Sequence, residues 1–346
     1  MLVTNEELSA DEIALYDRQI RLWGTDTQLR LRSAKLLIIN LGGIGTEIIK
    51  NLALGGLNSI EILDGSTIKE EDYAAQFFLP NDDSIIGELK LPHVLPAIKE
   101  LNPRVDLRIN TSKLSDVAPE YFGSFDLVVA TELTKKEIID INTILRNYGI
   151  PFYVTGMHGM FGYIFSDLIK HESRIQTERG NQPREVNSKI NDVKTITKVE
   201  YKQSENVELV TIEDEFFPLS GLFTSSKLTR QLNKRQLKRL SPALPLILSL
   251  FEVEKPSDPE QNLDKELLRK LSLEKCESLD ILPTIVSEEY LDLFSAQAFT
   301  EFAPVASILG GFLAQDVIQF LGQKESPINN CLILDSHRSE IPIYYL

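Results

Sequence analysis

The sequence predicts an α/β fold, in which a largely parallel, Rossmann-like sheet is surrounded by helices and interrupted by a smaller, mostly helical insertion. Two observations predict it. First, residues 35–64 read KLLIINLGGIGTEIIKNLALGGLNSIEILD. Leu36 to Leu41 form an apolar run of strand length that ends in glycines. Ile48, Ile49, Leu52 and Leu54 then keep one helical face apolar, and a second strand, Ser59 to Leu63, ends on Asp64. A strand–helix–strand unit with a glycine-rich first turn and an acid about 20 residues on is the dinucleotide-binding arrangement. Its fingerprint is incomplete here: Asn40 stands at the first glycine position, while Gly42 and Gly45 hold the second and third. Second, apolar strand and helix patterns return near the C-terminus after a polar middle, so the sheet is expected to close from both ends of the chain.

The elements follow in order. Ser9 with Glu12 three residues later forms a capping box. The helix it starts contains YDRQIRLWG, residues 16–24. It is predicted to be amphipathic, to bury Tyr16, Ile20 and Trp23, and to close at Gly24. A strand over 126–131 leads into Glu132. Residues 150–168 are β-branched and aromatic, with Gly156, Gly159 and Gly162 as punctuation; His158 among them reads as a loop residue rather than a ligand. Residues 172–208 turn polar and predict a flexible crossover or long loop. SKLTRQLNKRQLKRL, 226–240, is basic, but in so acidic a chain it reads as a solvated amphipathic helix. Helical segments run on through Phe294, and Cys276 in LEKCESLD is expected to be buried. Residues 302–322 predict a late helix with Ile308, Phe312, Val317 and Leu321 as its core face. Gly310 and Gly311 would allow it to pack closely on the sheet. Strands over 331–335 and 341–346 close the sheet.

Composition excludes several classes. With 42% hydrophobic and 25% charged residues among 346, the chain has the makings of an ordinary globular core. A formal net charge of -15 argues against bulk nucleic-acid binding, which needs basic surface. Cys276 and Cys331 supply neither a disulfide framework nor metal-ligand spacing, and a reducing intracellular setting is expected. No run of about 18 apolar residues marks a membrane span, and the acidic N-terminus does not read as a signal peptide.

YDRQIRLWG resembles the N-terminal signature of the ThiF/MoeB superfamily, in the form found in activating enzymes of ubiquitin-like proteins. FAPVASILGGFLAQDVIQFLG, 302–322, resembles the superfamily's late helix, and the likeness covers roughly 12–165 and 300–346. Members are dimers or pseudo-dimers of adenylation domains. The resemblance makes 1–168 the first part of a (pseudo-)adenylation domain and 299–346 the return to it. Between them, 169–298 is an insertion equivalent to a degenerate cysteine half-domain, with its polar crossover at 172–208. It gives Arg18 a catalytic role in trans, reaching across the dimer to ATP phosphates held by the other half. A guanidinium can neutralise polyphosphate charge in this way.

The chain's own nucleotide loop departs from competent members. Those carry a second acid two residues after the first and then an Asn-x-x-Arg-Gln-Phe pattern. Here Gln76 and Phe77 remain, but Ser66, Asp72 and Ala75 occupy the places of the second acid, the Asn and the Arg. Gly42, Gly45, Asp64 and Lys90 are therefore read as a relic pocket, Glu132 stands near the family's metal-binding aspartate, and Cys276 lacks the threonine-containing loop of a thioester cysteine. No metal site is expected.

Size and the eroded loop resemble the small, non-thioester subunits of SUMO-activating enzymes. The resemblance implies a heterodimer whose larger catalytic subunit holds ATP and Mg and takes SUMO as a thioester on its own cysteine. Conjugating enzyme is met through the complex, with no nucleic-acid or membrane partner, in the nucleus and also the cytoplasm. The chain alone is expected to be inactive, and the heterodimer to bury the apolar stretch 150–168. Three alternatives stand. The regulatory subunit of a Nedd-type (Rub) activating enzyme has a longer middle insertion. A MoeB-like homodimeric adenylyltransferase would need its own arginine and CxxC zinc pairs. A NAD-dependent oxidoreductase is opposed by Asn40 and by the absence of a catalytic dyad.

Overall fold

A computed structural model describes residues 7–346 apart from 179, 181–183, 204–205, 225–227, 229–231 and 259–260. Helix α1 (Ala10–Trp23) starts on the Ser9–Glu12 capping box and ends at Gly24; α2 (Thr25–Ser33) follows. Then come β1 (Lys35–Ile39), α3 (Gly43–Gly55), β2 (Ser59–Leu63), α4 (Lys90–Leu101), β3 (Asp106–Asn110), β4 (Leu127–Thr131) and α5 (Lys135–Tyr148). The next strands are β5 (Phe152–His158) and β6 (Phe161–Asp167), and the late elements are α10 (Ala303–Gly322), β10 (Cys331–Asp335) and β11 (Ile343–Tyr344). They form one eight-stranded sheet in the order β11-β10-β6-β5-β4-β1-β2-β3. The five strands from β3 to β5 are parallel, and β6, β10 and β11 add antiparallel.

Both sheet faces are dry, as parallel sheets require. Alternate residues divide between the layers. Leu37, Ile39, Val128, Phe152 and Phe165 point to one side, and Leu36, Ile38, Ile60, Val129 and Ile164 to the other. Helices α3, α4 and α10 cover the second side. The strand order reverses between β1 and β4, the place where such sheets open a crevice beyond the strand ends.

Several expectations need correction. Residues 172–208 are not a loop. β7 (Lys170–Glu178), β8 (Lys194–Lys202) and β9 (Val207–Glu215) make a three-stranded antiparallel sheet over a small cluster of Ile196, Val210 and Ile212. The insertion is thus sheet first and helix second: α6 (Lys234–Lys238), α7 (Ala243–Leu250), α8 (Lys265–Ser278) and α9 (Glu288–Gln297). Its helical part is joined to the main core. α7 packs on β6 and β10, and buried Asp335 accepts hydrogen bonds from Ser241 Oγ (2.5 Å) and Tyr290 Oη (3.0 Å). In the basic segment 226–240, α6 and the buried Leu228 and Leu240 agree with a helix that turns its leucines inward, while 226–227 and 229–231 lie outside the described residues.

The stretch 150–168 offers no partner-facing surface. All residues of β5 and β6 are buried within this chain, and Met160 in the turn is the exception to the pattern. Its apolar excess reflects two covered faces. His158 accordingly ends a strand rather than sitting in a loop.

In α10, Val317 and Leu321 point inward as expected, but Ile308 and Phe312 do not; they are 40% and 42% exposed. Val305, Leu309, Leu313 and Ala314 take the inward positions instead. Of the two glycines, Gly310 makes the close approach. A β-carbon there would run into the Glu47 side chain of α3, whereas one at Gly311 would meet nothing within 4 Å. On α1, Tyr16 is buried, while Ile20 and Trp23 are half-buried.

Candidate functional site

The crevice between the ends of β1 and β4 is a cleft of about 440 Å³ bounded by the glycine turn, the loop after β2 and the start of α10. Asn40 leaves β1 in the left-handed region, at φ 64°. That explains why asparagine can stand in for the first glycine, since its short amide side chain tolerates this conformation. The same side chain ties the switch point together, donating from Nδ2 to the Thr131 carbonyl at 2.9 Å. Gly42 caps α3, and Gly45 lies in its first turn, where a β-carbon would stand 3.0 Å from the Asn40 carbonyl.

Backbone N–H groups at such a helix start are a ready anion site. Here the anion is the chain's own. The Gly43 N–H donates to Glu301 Oε1 at 2.9 Å, and a β-carbon on Gly42 would lie 2.5 Å from the same oxygen. Asp64 is buried and already engaged, accepting from the N–H groups of Leu41 (2.9 Å) and Ser66 (2.7 Å). Lys90, the first residue of α4, is buried and its Nζ lies 2.8 Å from Asp72, the acid at the family's asparagine position. Ala75 packs towards Gly43 where an arginine would otherwise enter. Gln76 is structural: its Nε2 donates to the Leu41 carbonyl at 3.2 Å.

The electrostatics oppose a polyphosphate. Asp64, Glu71, Asp72, Glu132, Asp258 and Glu301 line the cleft against Lys69, Lys90 and Lys255. Surrounding protein and the neighbouring Glu301 carboxylate push Glu132 up to about 7. Glu301 is raised as well, chiefly by burial, with the Gly43 N–H acting the other way. Two acids held this close share protons rather than both ionising freely. Among the described residues, no group of three or more His, Cys, Asp or Glu side chains is placed to hold a metal ion. Cys276 is buried in α8, and burial pushes its thiol up to about 11, away from a reactive thiolate.

Arg18 is not brought to this cleft. Tyr16 packs over Gly56, and Gln19 Nε2 donates to the Leu54 carbonyl, so α1 is fastened to the C-terminal end of α3. The glycine turn is at the other end, and a helix of 13 residues is roughly 20 Å long. Arg18 faces outward between exposed Leu15 and Leu22, and it makes no ion pair or hydrogen bond among the described residues. Arg21, by contrast, is paired with Asp17 at 2.9 Å.

The structure therefore gathers Gly42, Gly45, Asp64 and Lys90 in one place and leaves Arg18 elsewhere. Sequence reasoning missed Glu301, which is 258 positions from the amide it caps, and no local pattern announces it.

The sequence matches the ThiF family over residues 16–344. It is 39% identical to the DNA damage tolerance protein RHC31 of Saccharomyces cerevisiae over 343 residues, 98% of each chain. It is 34% identical to the DNA damage tolerance protein rad31 of Schizosaccharomyces pombe over 345 residues, 99% of each. It is 30% identical to the SUMO-activating enzyme subunit 1 of Homo sapiens over 333 residues, 95% of this chain and 93% of that one.

Proposed function

Because the chain belongs to the ThiF family, we propose that it is the small subunit of a heterodimeric SUMO-activating enzyme, contributing Arg18 in trans and no nucleotide site of its own. Near full-length similarity to proteins named SUMO-activating enzyme subunit 1 supports the branch. The observation that carries the division of labour is the pairing of Gly43 with Glu301 while Arg18 stays unpaired at the far end of α3. A dinucleotide-dependent oxidoreductase is poorly served by the same cleft, since Glu301 occupies the helix start where a pyrophosphate would lie.

In this reading the larger subunit holds ATP with its magnesium, and adenylation joins the C-terminal carboxylate of SUMO to the α-phosphate with release of pyrophosphate. The larger subunit's cysteine then attacks the acyl-adenylate, forming the SUMO thioester and releasing AMP. This chain's part is electrostatic and positional. The Arg18 guanidinium, collared by Leu15 and Leu22, would be desolvated on docking and set against phosphate oxygens in the partner's cleft, where a planar donor fork is most effective. The outer face of α10, with Pro304, Ile308 and Phe312 exposed, is apolar enough to form the centre of the docking surface. Conjugating enzyme would meet the complex through the partner, and a nuclear setting follows from the same reading.

The test is ATP:pyrophosphate exchange with purified SUMO, run with this chain, with the larger subunit, and with both. Exchange is expected from the pair and not from this chain. Robust exchange by this chain alone sinks the assignment, as does a thiol-labile SUMO conjugate on Cys276.

A further inference from the structure

A second cavity, of about 890 Å³, lies beyond the carboxyl ends of β4 and β5, between α5 and the segment that follows α7. Its walls are apolar, with Leu133, Ile139, Met157, Phe251, Val253 and Phe299 among them. Nothing in the adenylation reading uses it.

Two buried polar groups line this cavity. Tyr163 is 2% exposed, and its hydroxyl makes no hydrogen bond among the described residues. Gly156 beside it leaves the room this hydroxyl occupies; a β-carbon there would run into it. His158 is 7% exposed, and its Nδ1 accepts the Phe299 N–H at 3.1 Å. That bond fixes the tautomer: Nε2 carries the proton and is the remaining donor. Burial, with the Lys255 charge nearby, holds the imidazole down to about 3, so it is neutral at physiological pH.

The rim carries little net charge. Lys135, Lys136 and Lys255 stand among Glu132, Asp140, Glu252 and Glu254, and Lys135 binds Glu252 at 2.6 Å. A deep apolar chamber with two unanswered donors and a balanced rim selects an uncharged ligand that brings an acceptor.

We propose that this cavity is a binding site for a neutral, planar aromatic molecule bearing a hydrogen-bond-accepting oxygen, which receives the Tyr163 hydroxyl and the His158 Nε2–H. The flat apolar body fills the space between Phe251 and Met157, and the oxygen satisfies donors that the fold itself leaves open. The site adjoins the cleft at the glycine turn, and Glu132, Lys255 and Phe299 border both.

Nile red is a suitable probe, being neutral, planar and carbonyl-bearing, with emission that shifts to the blue in apolar surroundings. Titrated into the full chain, it should bind saturably at one site. Val253→Trp, which fills the open side of the chamber, should weaken binding at least about tenfold. Tyr163→Phe keeps the volume but removes one donor and should weaken it about two- to tenfold. Phe312→Ser, on the exposed face of α10, should leave binding unchanged. Loss of dye in Phe312→Ser with retention in Val253→Trp would place the dye on that outer face and overturn the proposal. Absence of saturable binding, or equal affinity in wild type and Tyr163→Phe, would also overturn it. The second variant decides the matter should Val253→Trp fail to fold.

Discussion

At the glycine turn three groups find their counterparts within the chain: the Gly43 N–H has Glu301, the Leu41 N–H has Asp64 and Lys90 has Asp72. On the outer face of α1, Arg18 stands between two exposed leucines with no counterpart among the described residues, and along α10 Ile308 and Phe312 face outward. Both regions descend from one adenylation-domain plan, yet one is closed upon itself and the other left incomplete. In the cleft, Glu301 holds the helix-start amide that an anion would otherwise use. The Arg18 guanidinium, among the described residues, has no ion pair and stands beside exposed Leu15 and Leu22. The proposed function places chemistry at the surface and stability in the cleft, and that division can be broken from either side.

The largest expected effect is at Arg18. Removing one pre-positioned donor to developing charge costs about 2.7–4 kcal/mol, or about 10²- to 10³-fold in rate. Arg18→Ala should lower adenylation by the heterodimer by that factor with co-purification unchanged, and Arg18→Lys should recover little. Arg21→Ala is the control, because Asp17 already holds that side chain. Equal, modest losses in both variants would reduce Arg18 to a helix residue.

Lys90 probes the closed region. Lys90→Met leaves Asp72 enclosed without its cation and should cost about 3 kcal/mol of stability in chemical denaturation. The adenylation rate at saturating partner should be unaltered. A rate defect without a stability defect would mean that the cleft still works. Next in size, Ile308→Asp and Phe312→Asp should each weaken association with the larger subunit by about 2 kcal/mol, roughly 30-fold, while the isolated chain melts normally. Sedimentation of the mixed subunits reads this directly, and undiminished affinity would move the docking surface off α10.

The smallest effect is at Glu132. Its folded-state value lies above the ordinary 4.5, at about 7. The fold therefore disfavours the ionised form, and stability declines as pH rises from 4.5 through 7. Glu132→Gln removes that decline. Solvent access and proton sharing with Glu301 reduce the gain to about 1 kcal/mol, or about 2 °C in melting midpoint at pH 8. At pH 4.5 the two proteins should melt together. A gain at both values would point to packing rather than charge.

Much of this contrast was legible in the sequence where the cause is local. The Ser9–Glu12 box, the close of its helix at Gly24 and the Ser59–Leu63 strand follow from spacing of a few residues and match the structure. The losses at Ser66, Asp72 and Ala75 were also readable, and they mark an eroded loop. The carboxylate at the start of α3 was not readable, because Glu301 reaches Gly43 across 258 positions. The small sheet of β7, β8 and β9 escaped notice for a different reason. Ile196, Val210 and Ile212 are too few to print a period of two on strands otherwise made of polar residues. On α10, apolar residues surround the whole helix, so periodicity alone cannot separate its buried side from its outer side. Residues 150–168 misled in the opposite sense. A strand pair covered on both faces carries as much apolar surface as an interface.

The Glu301–Gly43 bond also bears on how this protein responds to the energy state of a cell. A protein that binds a free nucleotide gains stability by mass action, and it loosens when that nucleotide is depleted. Glu301 is a covalently attached occupant whose effective concentration is set by chain geometry and does not change with metabolism. The small subunit would then keep the same melting temperature in starvation and in plenty, and its assembly-competent form would not wait on ATP. Only the other half of the enzyme would feel the fuel supply.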